Sequence, residues 1–304
     1  MGYFIYFETL LLSGQNNLRT SRISAYRFVL FAIFLVFGLS LPALSGLLVF
    51  PFSLIPNSLW QIYSIILSMF FLTLTILFYK NKQYKKYWQI LLAFFIASFA
   101  LNLQAISGWL GFQTTTMNGL VLAMLSSTAL VVASIIVLTK ISGGSMYSIF
   151  LAKGKIKLGL IVGLVGFLVF IALSIPGANL LFQGQNLTIT KLVSWMPWIL
   201  PIVLANGLRE ELLYRGLFLK KFDSLLGNGL SGFLQALIFS LSHSVAGIGI
   251  MQYTPYISVL VVATFLLGLV LGYVMRRTDS IVGPILLHAG TDIPIFIGIF
   301  SNLQ

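Results

Sequence analysis

Two histidines, three carboxylates and an arginine near the C-terminal end of the chain have the residue types of a hydrolytic site. A carboxylate can take a proton from water, an imidazole can assist it, and an arginine can neutralise a second carboxylate. These groups lie in segments apolar enough for membrane helices, where a central charge costs about 2.5–3.5 kcal/mol, so they indicate a pathway or a reaction site. The six residues are Glu210, Glu211, Arg215, His243, His288 and Asp292.

The spacing of these residues divides their tasks. Residues four apart share a helical face, so Glu211 is predicted to pair with Arg215 while its neighbour Glu210 points elsewhere and stays available. His288 and Asp292 are also four apart, and a carboxylate beside an imidazole fixes its tautomer. The same spacing is compatible with a purely structural network between helices. His243 taken alone is more typical of a packing residue bonded to a serine or a carbonyl than of a catalytic residue.

The composition is that of an integral membrane protein. Of the 304 residues, 59% are hydrophobic and only 8% are charged, whereas soluble domains average about 25% charged residues. The chain has no cysteine, which excludes disulfides and thiolate metal sites. The net charge of +12 comes mostly from short interhelical loops, where basic residues report topology. We therefore expect no nucleic-acid partner; the expected partners are the lipid bilayer and a peptide or membrane-protein substrate.

The predicted fold is all-α, a polytopic membrane bundle of about nine transmembrane helices. A helix needs about 20 apolar residues to cross the hydrocarbon core. The predicted spans are 28–50, 59–79, 88–110, 119–139, 158–175, 193–218, 230–249, 257–275 and 281–301.

The loop at 140–157 predicts a division into two parts, because it combines three glycines with four lysines. Residues 1–150 form an N-terminal membrane region of about four helices with no assigned role, and residues 151–304 form the core that holds the polar groups. Basic loops alternate onto one face, which the positive-inside rule assigns to the cytoplasm. The protein is thus expected in the cell membrane as a multi-pass protein with a cytoplasmic N-terminus.

Three short motifs, in this order on successive late helices, resemble the CPBP family. They are Glu-Glu-x-x-x-Arg at 210–215, Phe-x-x-x-His at 239–243 and His-x-x-x-Asp at 288–292, within residues 193–301. The family contains CAAX prenyl endopeptidases of the Rce1 type and bacterial Abi-type intramembrane proteases, some associated with bacteriocin immunity. The resemblance implies a CPBP-type catalytic core that hydrolyses peptide bonds within the bilayer. It places Glu210, His243, His288 and Asp292 in the catalytic positions, with Glu211 and Arg215 in the supporting positions.

Asp292 changes the chemistry expected of the last catalytic position, which holds Asn in prenyl endopeptidases and Asn or Asp across the wider family. An ionised carboxylate cannot donate a hydrogen bond to an oxyanion, whereas an amide can. Asp292 must therefore be protonated, orient His288 or bind a metal, and its presence argues against a prenylated substrate. The cofactor stays open between Zn²⁺ and none; a metal would be held by Glu210, His243, His288 and Asp292.

The favoured function is an intramembrane endopeptidase, either glutamate-dependent or a metalloprotease. Glu210 would activate water with help from His243, while His288, held by Asp292, would donate to the developing oxyanion. Two other functions are compatible with the sequence. One is a non-catalytic membrane scaffold or immunity protein, and the other is a proton-coupled transporter whose Glu, His and Asp side chains relay protons.

Overall fold

The computed structural model describes residues 24–41, 59–182, 184–251 and 256–303, and within these residues the chain forms helices and no strand. A π-helical turn, Glu211–Gly216, follows the seventh helix directly. The helices are α1 (Ser24–Ser40), α2 (Trp60–Lys80), α3 (Trp88–Ile106), α4 (Met117–Ile141), α5 (Ile156–Ala172), α6 (Ser174–Leu181), α7 (Ile189–Glu210), α8 (Leu219–Leu226), α9 (Asn228–Met251), α10 (Tyr256–Thr278) and α11 (Val282–Ser301).

Six segments of the described chain are long and apolar enough to cross a membrane, and a bent pair of helices would make seven. The count of nine is therefore not confirmed. The predicted span at 28–50 corresponds to the shorter helix α1, and residues 42–50 lie outside the described residues; α9 covers the predicted span at 230–249. The six segments are Gln61–Lys80, Lys85–Leu110, Met117–Ile141, Ile189–Leu226, Ile257–Thr278 and Val282–Ser301.

The predicted span at 158–175 is broken rather than straight. Helix α5 ends at Ala172, and α6 leaves it at an angle of 60°. Pro176 lies in the first turn of α6. A proline has no N–H to donate, and its ring clashes with the carbonyl four residues earlier, here that of Ala172, so a continuous helix through this point is disfavoured.

Aromatic packing joins the N-terminal helices to the later ones. The ring of Phe94 on α3 lies 4.8 Å from that of Phe218, just before α8, and Phe34 on α1 lies 5.5 Å from Phe222 on α8. Tilted aromatic pairs at these distances add stabilisation beyond the area they bury. One continuous hydrophobic cluster therefore runs from α1 to the π-turn and α8. The division of the chain at residue 150 stays a prediction.

Helix α11 lies at the centre of the C-terminal half. Its packing against neighbouring helices fixes the position of its polar residues. On one side it approaches α5 so closely that a Cβ at Gly283 would lie 2.9 Å from the carbonyl oxygen of Gly159. Small residues permit this close approach in membrane bundles. On the other side, Ala289 and Ile293 pack into a buried cluster with Ile202 and Val203 of α7. Helix α11 is therefore packed between α5 and α7.

The loop before α5 docks onto the turn between α10 and α11. The amide of Lys155 donates to the carbonyl of Thr278 at 2.6 Å, and the amide of Ile281 donates to the carbonyl of Phe150 at 3.1 Å. Gly154 has a φ of +45°, and a Cβ there would lie 2.3 Å from the carbonyl oxygen of Thr278. Only glycine satisfies both the backbone conformation and the contact.

We predict that Gly154→Ala lowers the thermal unfolding midpoint of the detergent-solubilised protein far more than Gly143→Ala. Both glycines have positive φ, so both substitutions incur the left-handed backbone cost of about 1–2 kcal/mol. Gly143 has open space around its Cβ position, whereas Gly154 faces two backbone carbonyls. Circular dichroism at 222 nm measures both midpoints, and equal losses would contradict the docked loop.

Candidate active site

The six polar residues predicted from the sequence meet at the junction of α7, the π-turn, α9 and α11. Glu210 is the last residue of α7, and Glu211 and Arg215 lie in the π-turn that follows it. His243 comes from α9, whereas His288 and Asp292 come from α11. π-Helical turns within longer helices are rare and frequent at functional sites.

A fully buried ion pair forms the base of the site. Arg215 Nη1 donates to Glu211 Oε1 at 2.7 Å, and both side chains have 0% exposure. The guanidinium also lies over the ring of Phe239, 3.9 Å from its centroid, in a cation–π contact. The pair predicted from the four-residue spacing is thereby confirmed. Phe239 of the Phe-x-x-x-His motif gains a defined role as the apolar face against this charge.

His288 is hydrogen-bonded to Glu211, and the predicted partner Asp292 is an ion-pair neighbour on the other side of the ring. Its Nδ1 lies 2.7 Å from Glu211 Oε1, the same oxygen that accepts from Arg215, whereas its Nε2 lies 3.6 Å from Asp292 Oδ1. The first distance is that of a strong hydrogen bond and the second is too long for one. The α11 backbone places His288 directly against the π-turn. The ring nitrogen therefore bonds to Glu211, the nearer carboxylate, whose charge is compensated by Arg215.

Asp292 is anchored by a residue that the motifs do not include. Asn206, one turn before Glu210 on α7, donates from Nδ2 to Asp292 Oδ2 at 2.8 Å. The other carboxylate oxygen of Asp292 faces His288 Nε2 at 3.6 Å. The four-residue spacing between Asn206 and Glu210 was visible in the sequence, but its partner on α11 depends on the packing of α7 against α11.

Glu210 and His243 are joined by a hydrogen bond. His243 Nδ1 lies 2.8 Å from the carbonyl oxygen of Phe239, which can only accept, so Nδ1 carries a hydrogen. Its Nε2 lies 3.1 Å from Glu210 Oε2. A bare imidazole nitrogen and a bare carboxylate oxygen would repel at this distance, so one proton lies between them, on either the ring or the carboxyl group.

One oxygen of Glu210 faces both histidines. His288 Nε2 lies 3.6 Å from Glu210 Oε2, the atom that also lies 3.1 Å from His243 Nε2. The side chains of Glu210 and His243 are 12% and 23% exposed, whereas that of His288 is 2% exposed. Access to the cluster is therefore on the side of Glu210 and His243, and His288 forms its closed wall.

The part of the chain that holds the site matches a known family model. Residues 192–294 match the family model of Type II CAAX prenyl endopeptidase Rce1-like proteins. This match confirms the resemblance to the CPBP family. The matched residues run from α7 into α11 and include every member of the three motifs. The family is one of peptidases, so the match supports a peptidase in a multi-pass membrane protein. The comparisons with curated proteins and with solved structures found no match.

Glu210, His243, His288 and Asp292 are the residues that would hold a metal ion if the protein binds one. Within the described part of the chain, no group of three or more histidine and acidic side chains is placed to hold a metal ion. The donor atoms are directed at one another instead: His243 Nε2 at Glu210, and Asp292 Oδ2 at Asn206.

We predict that Arg215→Met destabilises the protein by about 3–5 kcal/mol, because it leaves the carboxylate of Glu211 buried without its cation. The matched control is Arg277→Met at an exposed arginine, where a surface substitution changes stability by about 0.5 kcal/mol or less. Denaturant unfolding in detergent micelles measures both. Similar stability of the two variants would contradict a charge-compensating role for Arg215.

Proposed function

We propose that the chain is an intramembrane endopeptidase that uses Glu210 to activate water against a peptide bond. The observation that carries the proposal is the approach of one Glu210 oxygen to the Nε2 atoms of two histidines from separate helices, at 3.1 and 3.6 Å. A carboxylate that lies beside two imidazoles and is open on one side supplies a base and a donor for the same reacting centre. The family match to a peptidase family supports the same reaction class.

In the proposed reaction, water bound at the exposed side of Glu210 attacks the carbonyl carbon of the substrate. A new carbon–oxygen bond forms while the water proton moves to the carboxylate of Glu210. Collapse of the tetrahedral intermediate breaks the carbon–nitrogen bond, and the proton on Glu210 passes to the leaving amine. His243, hydrogen-bonded to Glu210 and fixed by the carbonyl of Phe239, holds the carboxylate and shares its proton during both transfers.

His288 supplies the donor to the developing oxyanion. With Nδ1 directed at Glu211, its Nε2 is the atom left to face the substrate. A donor held in place before the reaction stabilises a tetrahedral oxyanion by roughly 2.7–4 kcal/mol. Glu211, itself neutralised by Arg215, fixes the ring, and Asp292 lies opposite Nε2 as a second negative group that balances a cationic imidazole.

The proposed substrate is a peptide or protein segment associated with the bilayer. The site residues belong to helices that are apolar enough to span the membrane, so the scissile bond must reach them from the lipid or from its surface. We propose a cytoplasmic N-terminus on the basis of the basic loops. The name of the matched family describes prenyl endopeptidases; Asp292 favours a substrate without a required prenyl group, and the same peptide with and without the lipid tests this.

We predict that Glu210→Gln lowers hydrolysis by at least about 100-fold, since general bases contribute roughly 10²–10⁴. The matched control, Asp279→Asn, makes the same acid-to-amide change in the turn between α10 and α11 and should keep full activity. The assay is cleavage of a quenched fluorescent peptide library reconstituted with the purified protein in lipid vesicles. Full activity of the Glu210→Gln variant would refute the assignment, and a retained cellular effect without cleavage would favour the scaffold function.

A chelator experiment separates the glutamate-dependent enzyme from the metalloprotease. We expect hydrolysis to survive dialysis against 1,10-phenanthroline, because the donor atoms of the four residues are directed at one another and at Asn206. Elemental analysis of the purified protein provides the second measurement. Loss of activity that is restored by stoichiometric Zn²⁺ would instead assign Glu210, His243, His288 and Asp292 as metal ligands.

A further inference from the structure

Arg209 is a largely buried cation beside the site that none of the three motifs includes. Its Nη2 donates to Glu210 Oε1 at 3.1 Å and to Asn206 Oδ1, and its Nη1 donates to Ser127 Oγ on α4 at 3.2 Å. The side chain is only 14% exposed. One guanidinium therefore contacts three groups from two helices, a geometry that suits its planar set of donors.

The contact with Arg209 decides how the carboxylate of Glu210 is turned. Oε1 faces the guanidinium, whereas Oε2 faces the Nε2 atoms of His243 and His288. A carboxylate rotates about its terminal bond with little resistance. Because Arg209 holds Oε1, the reactive oxygen Oε2 is presented to the two histidines in one orientation.

The same guanidinium reaches the second carboxylate through an amide. Asn206 accepts from Arg209 with Oδ1 and donates to Asp292 with Nδ2 at 2.8 Å. An amide placed between a cation and an anion is oriented by both, since each of its ends meets the complementary charge. Arg209 thus connects to Glu210 directly and to Asp292 through Asn206.

Ser127 brings helix α4 into this network, although α4 lies outside the matched residues 192–294. Helix α4 is bonded to α7 at two further levels: Trp198 Nε1 donates to Asn118 Oδ1 at 2.6 Å, and Thr128 Oγ1 donates to the carbonyl of Ala205 at 3.4 Å. Hydrogen bonds between membrane helices fix their relative position. The N-terminal region therefore contacts the candidate site through α4.

We propose that Arg209, seated by Ser127 of α4, is a positioning residue that orients Glu210 and Asp292 for catalysis, and that α4 is part of the active site. The proposal rests on the proposed endopeptidase function. It gives the N-terminal region, whose sequence predicts only apolar spans, a specific role in the reaction.

The test compares Arg209→Gln, Arg209→Lys and Ser127→Ala with Arg276→Gln in the full-length protein. Arg276 makes a two-point ion pair with Asp223, at 2.7 and 3.0 Å, away from the six site residues, so it reports the loss of a structural arginine. Each variant is reconstituted in lipid vesicles with the quenched peptide that the unsubstituted protein cleaves best. Steady-state kinetics give kcat and KM, and circular dichroism gives the thermal midpoint.

We expect Arg209→Gln to lower kcat by about 10–100-fold with KM changed less than about threefold, because misplacing a reacting group affects the transition state more than substrate binding. Arg209→Lys should recover part of kcat, since an ammonium keeps the charge but not the planar set of donors. Ser127→Ala should lower kcat by less than Arg209→Gln does. The double variant should lose no more kcat than Arg209→Gln alone.

Three outcomes would overturn the proposal: an unchanged kcat in Arg209→Gln, a raised KM with kcat intact, or an equal loss of kcat in Arg276→Gln. An unchanged kcat would mean that Arg209 does not position the site. A raised KM alone would make it a substrate-binding residue, and an equal loss in Arg276→Gln would make it a structural one. Absence of cleavage by the unsubstituted protein would instead be a failure of the proposed function, and it is seen before any variant is compared.

Discussion

The cost of placing charge in an apolar environment governs this structure, and the oxygen Glu211 Oε1 is where that cost is met. It accepts from Arg215 and from His288, both at 2.7 Å, in a position with no solvent exposure. Removing one member of such a group leaves buried charge that is no longer fully compensated, which is far more costly than the group itself. The π-turn, the cation–π contact with Phe239 and the close packing of α11 all serve to keep these three side chains together.

This arrangement gives two adjacent carboxylates different surroundings. Glu211 is fully buried and bound to a guanidinium and an imidazole, so it has a fixed position and no access to water. Glu210 has one oxygen toward Arg209 and the other toward two histidines, and it retains some exposure. A reactive carboxylate needs both a defined orientation and access to water. Of the Glu-Glu pair, only Glu210 combines a fixed orientation with partial exposure, which favours it for the proposed role of base.

The sequence predicted what depends on local spacing and missed what depends on neighbouring helices. The Glu211–Arg215 pair follows from four residues of separation. His288 could not be assigned to Glu211, because 77 residues separate them and the contact depends on how α11 packs against the π-turn. The contacts of Arg209 with Ser127 and of Asn206 with Asp292 are of the same kind. The break at Pro176 was detectable in principle, but the apolar character of residues 158–175 favoured one continuous span.

Helices outside the residues that match the family model also support the site. The three motifs lie on α7, the π-turn, α9 and α11, yet two carboxylates and an arginine at one helix end are destabilising unless each charge has a fixed partner. Helix α4 provides part of that support through Ser127 and through its bonds along α7, and the aromatic contacts of α1 and α3 hold the segment that follows the π-turn. A polar cluster formed by three helices therefore depends on the packing of several more. Within a membrane, the helices that enclose polar groups determine how those groups are arranged.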